Sequence, residues 1–153
     1  MQIANERYSD GVLNPQGIRF GSSDIYSIVE AAPFNQYLSN TLCIGRRRPG
    51  IDTDEAVFLF VVMQAPHKMT LEFEQSLKDA IRKGLSNKHV PRFIIEVPEV
   101  PTTVNGKKIE TLTKGIICTG KMPANISNTV ANPGCLSEFQ QFYRLEVPTK
   151  AKL

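Results

Sequence analysis

The order of apolar segments predicts an α+β fold: a small open sheet with helices packed on it, an N-terminal hairpin and an extended C-terminal tail. Three observations carry this. Ala56 to Met63 is almost unbroken apolar sequence of strand length, which asks for a central strand covered on both faces. Phe73, Leu77, Ala80 and Ile81 recur at helical spacing behind Thr70, a capping residue type. After Gly120 the composition turns to Asn, Ser, Thr and Pro, which ends the alternation of strands and helices.

The elements follow in order. Val12, Leu13, Ile18 and Phe20 flank Asn14-Pro15-Gln16-Gly17, two short apolar stretches around a turn. Ile25, Ile28, Val29 and Ala32 mark one helical face, with Ser22 or Ser23 as cap and Pro33 as stop. Thr41 to Ile44 is a short strand, and Arg46-Arg47-Arg48-Pro49-Gly50 is expected as a charged, solvated turn. A strand follows over 56–63 and a helix to about Leu85, with Glu72 and Glu74 early and Lys78, Arg82 and Lys83 late, as the helix dipole prefers. Phe93 to Val97 is the next strand, Asn105-Gly106 a strong turn signal, and Ile109 to Cys118 a last helix. Helices are expected to lie over one face of the sheet. Leu136 to Tyr143 adds a helical turn or two to an otherwise extended tail.

Composition narrows the function classes. The chain has 153 residues, 18 Lys and Arg against 15 Asp and Glu, and a net charge of +3. That is mildly basic: it favours anionic ligands and demands no nucleic acid. Cys43, Cys118 and Cys135 form no Cys-x-x-Cys pair and lie far from His67 and His89, so neither a metal site nor a disulfide framework is expected. Met1 to Asp10 has no apolar core, and no run reaches the length of a membrane span. Neither a secretory leader nor a membrane partner is expected, and a cytoplasmic setting is. A phosphate-binding loop, a dinucleotide fingerprint and a serine nucleophile elbow are all absent, which argues against a self-contained kinase or hydrolase.

Two turns stand out: Ser9 to Gly21, and Pro101-Thr102-Thr103-Val104-Asn105-Gly106-Lys107. Taken alone, the first is a surface hairpin and the second an Asn-Gly turn with solvated lysines. Their joint wording says more. Asp10-Gly11-Val12-Leu13-Asn14-Pro15, Ile18-Arg19-Phe20-Gly21-Ser22, His89-Val90-Pro91, Thr103-Val104-Asn105-Gly106-Lys107-Lys108-Ile109-Glu110 and Ala131-Asn132-Pro133 occur in this order. Together they resemble the C-terminal domain of the acyl-adenylate-forming ligases, and among these the acetoacetyl-CoA synthetases.

The resemblance spans roughly Ser9 to Phe139. It implies a non-matching segment with the hinge over 1–10, a mobile lid domain over 11–120 and a C-terminal extension over 121–153. It implies a ligase working in two half-reactions: acid and ATP, with Mg²⁺, give an acyl-adenylate and pyrophosphate, and CoA then displaces AMP. The expected partner is an N-terminal adenylation domain, which carries most of the ATP and acid site; none of it lies within these 153 residues, so the chain alone is expected to be inactive.

By the same resemblance, Lys107 is the catalytic lysine that reaches the α-phosphate and carboxylate during adenylation, and Lys108 its solvated neighbour. Asp10 is the hinge and Arg19 a nucleotide-phosphate contact. Gln16 and Gly17 face the pantetheine tunnel, and Arg82 meets the CoA nucleotide phosphate. One departure stands out: Tyr8 occupies the place of a family arginine that contacts ATP phosphates, with Arg7 displaced by one residue. The competing reading is a free-standing module binding anions, nucleotides or RNA without catalysis, favoured by Arg46 to Arg48. The absence of aromatics interleaved with that run counts against it.

Overall fold

A computed structural model of the chain describes residues 11–146. The hairpin pairs β1 (Val12–Leu13) with β2 (Phe20–Gly21), Leu13 opposite Phe20. Its turn runs Pro15 to Ile18, closed by the Ile18 N–H donating to the Pro15 carbonyl at 3.1 Å. Gln16 and Gly17 both have positive φ, 53° and 84°, a type I′ reversal at the tip of the six-residue loop between Leu13 and Phe20.

Helix α1 (Ser22–Val29) follows at once. A three-stranded sheet is then built from β3 (Leu38–Arg46), β4 (Ala56–Met63) and β5 (Phe93–Glu96), in the order β3-β4-β5. β3 and β4 are antiparallel, with Thr41 opposite Val61 and Arg46 opposite Ala56, whereas β4 and β5 are parallel, with Phe58 opposite Phe93. Helix α2 (Leu71–Gly84) makes the crossover between the parallel strands, and the Thr70 hydroxyl accepts from the Phe73 N–H at 3.0 Å as its cap. Helix α3 (Glu110–Thr119) ends on Gly120 in the left-handed region, φ 74°. Irregular 3₁₀ turns over Pro133–Tyr143 complete the described chain. None of the described helices is long and apolar enough to cross a membrane.

The expectation of helices over one face of the sheet is corrected: both faces are covered. The cause is β4, whose side chains alternate between two apolar clusters. Val57, Leu59 and Val61 pack with Leu13, Ile25, Val29, Leu77 and Ile81 of the hairpin, α1 and α2. Phe58 and Phe60 pack on the other side with Ile116 and Ile117 of α3. The C-terminal extension joins this second cluster, burying Leu136, Phe139 and Phe142. The Phe60 and Phe139 rings meet edge to face with centroids 4.9 Å apart, so the extension belongs to the same core as the sheet.

The Arg46–Arg48 turn is a second correction. β3 continues to Arg46, and Arg46 and Arg48 are buried, at 3% and 4% exposure; Arg47 is exposed. Arg46 Nη1 donates to the Phe142 and Leu145 carbonyls, both at 2.6 Å, and its guanidinium lies 5.0 Å from the Phe58 ring centroid. Arg48 donates to the Tyr143 carbonyl at 2.7 Å and pairs with Asp52 at 2.8 Å and Glu146 at 2.7 Å. These guanidiniums satisfy the carbonyls of the extension where it leaves regular structure, so they are consumed by the fold rather than offered to solvent.

Candidate functional site

The turn that carries Lys107 is closed twice. The Gly106 N–H donates to the Thr103 carbonyl, and the Thr103 N–H to the Lys107 carbonyl, both at 2.8 Å. The Lys107 N–H also donates to Thr103 Oγ1 at 3.1 Å. Gly106 has φ 85°, a value that suits glycine in this tight reversal. Beyond the turn, Thr102 bridges Lys108, and Thr103 bridges Val130 of the extension. The backbone of Lys107 is thus fixed while its side chain is exposed.

Lys108 is not the solvated neighbour the sequence suggested. Its ammonium donates to Glu30 Oε2 at 2.7 Å, Asn40 Oδ1 at 2.6 Å and the Thr41 carbonyl at 2.5 Å. It also lies 4.7 Å from the centroid of the Tyr26 ring. The Tyr26 hydroxyl donates to Glu110 Oε2 at 2.5 Å and accepts from the Cys43 N–H at 2.9 Å. The Ser22 hydroxyl donates to the same Glu110 oxygen at 2.9 Å. Burial, and next the Glu110 carboxylate, push the Tyr26 phenol far above its ordinary value, so it stays a neutral donor.

A second region forms around the hairpin tip. Gln16 and Pro15 line a groove of about 150 Å³ with Ala56, Asn87, Lys88 and Arg92. Arg82, late in α2, reaches the same wall: its Nε donates to Asn87 Oδ1 at 2.7 Å while Nη1 pairs with Asp79 at 2.7 Å. Gln16 and Gly17 are exposed, and nothing lies within 4 Å of the position a Cβ would take on Gly17, so that backbone is open to close approach. The groove also carries Asp54 and Glu55. Glu55 is held in place by the Asn14 N–H at 2.6 Å and Lys114 at 3.2 Å.

The two regions occupy opposite ends of β3. Lys108 is tied at Asn40 and Thr41, whereas the groove opens at Ala56, the partner of Arg46. Five residues of strand at about 3.4 Å each separate them by roughly 17 Å. Gln16 and Asn87, the partner of Arg82, therefore line one groove, and Lys107 is not among its lining residues. Arg19 is exposed on the hairpin, next to buried Phe20, whose ring lies 4.2 Å from that of His89. Asp10, the expected hinge, and Tyr8 lie outside the described residues. The Gly11 carbonyl accepts from the Ser22 N–H at 2.9 Å. Sequence reasoning missed Glu30, Tyr26, Lys108 and Glu110 as a connected group. The one available signal was alternation: consecutive residues on extended backbone point to opposite faces, so a lysine pair beside a sheet can have one member turned inward.

Residues 35–107 match the AMP-binding enzyme C-terminal domain family. Beyond that segment, the chain has relatives along most of its length. It is 43% identical over 134 residues to a malonamoyl-CoA synthetase of Penicillium aethiopicum, covering 88% of this chain and 18% of that protein. It is 39% identical over 138 residues to the acetoacetyl-CoA synthetase of Gallus gallus, covering 90% of this chain and 20% of that protein. Among solved structures, acetoacetyl-CoA synthetase from Streptomyces lividans superposes with a TM-score of 0.71 at 30% identity, covering 89% of this chain and 19% of that one. The chain thus spans about a fifth of the length of the ligases it matches. Along most of its length the chain is thus similar to acid–CoA ligases, and residues 35–107 to their C-terminal domain. The reading as a free-standing RNA-binding module loses its main support, because two of the three arginines behind it are buried in the core.

Proposed function

We propose that this chain acts as the mobile lid of an ATP-dependent acid–CoA ligase, with a different end of β3 facing the substrates in each half-reaction. The observation that carries the reading is the state of Lys107, exposed on a doubly closed turn at the end of β3 away from the Gln16 groove. In the first half-reaction a carboxylate oxygen attacks the α-phosphorus of ATP and pyrophosphate leaves. The Lys107 ammonium, on its four-carbon stem, meets the charge that develops on the α-phosphate and carboxylate oxygens. In the second, the CoA sulfur bonds to the acyl carbon, the thiol proton is lost and AMP leaves. The groove face then serves, with Gly17 allowing the pantetheine close approach and Arg82 meeting the nucleotide phosphate. Arg19, exposed on the hairpin, serves as a nucleotide-phosphate contact in this reading, and Asp10 as the pivot. ATP with Mg²⁺ and CoA are substrates of the assembled ligase, and a cytoplasmic setting suits that supply.

The acid is proposed to be a short 3-oxo acid. Acetoacetate and malonamate, the acids in the relatives' names, differ only by methyl against amino at the far side of the 3-carbonyl, so one pocket shape serves both. That pocket belongs to the adenylation domain, and this chain without it is proposed to be inactive.

The test joins this chain to the adenylation domain of the Streptomyces lividans enzyme and measures pyrophosphate release and, from preformed acyl-adenylate, thioester formation. Lys107→Ala should lower the first by roughly 10²-fold and leave the second near the parent rate. Equal damage to both steps would remove Lys107 from the chemistry. Turnover by the unfused chain would overturn the lid reading itself.

A further inference from the structure

The structure assigns Lys108 the role of a positioning residue for Lys107, an inference that rests on the function proposed above. The Lys107 side chain is exposed, whereas that of Lys108 turns to the fold. An ammonium has three N–H donors, and those of Lys108 match three acceptors: Glu30 Oε2, Asn40 Oδ1 and the Thr41 carbonyl. Its side chain is only 19% exposed. These acceptors belong to the C-terminal end of α1 and to β3, so the bonds moor the trailing side of the turn to the sheet edge.

Tyr26 extends the mooring. Its ring underlies the Lys108 ammonium, and its hydroxyl reaches Glu110, three residues beyond Lys107. On the leading side, Thr103 holds Lys107 through its own N–H and hydroxyl. Lys107 is thus bracketed, and what remains free is its stem. Lys108 meets no substrate in this assignment. Its ion pair and hydrogen bonds set where the Lys107 stem begins, and a catalytic group gains most when its starting point is fixed. A neutral side chain at 108 would leave the Glu30 carboxylate without its cation and release the turn from β3.

Two variants test this, Lys108→Met and Glu30→Gln; the second weakens the mooring without touching the turn. In the 153-residue chain, hydrogen exchange at the Gly106 and Lys107 amides should rise roughly tenfold more than at the β3 and β4 amides for Lys108→Met, and in the same pattern to a lesser degree for Glu30→Gln. In the joined ligase, Lys108→Met should lower kcat for adenylation roughly tenfold with KM for ATP little changed. Thioester formation should stay near the parent rate. Turn amides that move no more than those of the sheet, or equal loss in both half-reactions, would overturn the assignment. Should Lys108→Met fail to fold, Glu30→Gln decides it by the same two readouts. Lys107→Ala separates the two levels. If it keeps adenylation, the proposed function falls and this inference with it; if it loses adenylation while the mooring variants do not, only the inference falls.

Discussion

Arg46-Arg47-Arg48 and Lys107-Lys108 look alike as sequence, each a short basic run beside a glycine turn, yet the fold uses them differently. In the arginine run, Arg46 and Arg48 go inward to the carbonyls of residues 142–145 and to two carboxylates, and only Arg47 is exposed. In the lysine run, Lys108 goes inward and Lys107 outward. A basic run on extended backbone is thus two populations, one consumed by the structure and one available to a ligand. Only the second can carry chemistry, and counting charges does not separate them.

The comparison breaks most visibly at Arg46. Arg46→Met should cost about 3 kcal/mol or more, because the Phe142 and Leu145 carbonyls lose charged donors in a buried setting. Urea denaturation measures it; a change under about 0.5 kcal/mol would mean the extension is held by its aromatic contacts alone. Lys107→Ala is the opposite case. It should leave unfolding free energy within about 0.5 kcal/mol of the parent, since its side chain is exposed, while costing the adenylation step described above.

Acid should loosen the arginine clamp. Hydrogen bonds from Arg48 hold the Asp52 carboxyl below its ordinary value. A depressed carboxyl contributes stability above its unfolded value, about pH 4, and that contribution is lost as pH falls through the folded one. Asp52→Asn should therefore be about 1 kcal/mol less stable at neutral pH and lose less further stability on acidification. Parallel acid profiles for variant and parent would show that Asp52 adds nothing to the clamp. The smallest effect is expected at Arg47, where Arg47→Ala should change stability by less than about 0.5 kcal/mol; a larger loss would mean that burial does not sort the three arginines.

Much of the fold was legible because it is written in local periodicities. The Ala56–Met63 run, the Thr70 cap with its helix stripe, and the Asn14–Gly17 turn all lie within a few residues of the structure they specify. The turn bearing Lys107 was equally local, since Asn105-Gly106 reverses a chain by itself. The partners of Lys108 were not legible: Glu30 is 78 residues away and Thr41 is 67. Nor were those of Arg46, 96 to 99 residues away. The sequence by itself determined most of the strands, helices and turns, though not the reach of β3 to Arg46, because hydrophobic period and turn chemistry act at short range. Only the tertiary structure decided which of two adjacent cations faces solvent, because that depends on whether a distant carbonyl or carboxylate is folded into reach, and a buried charge is tolerated only where such partners meet it.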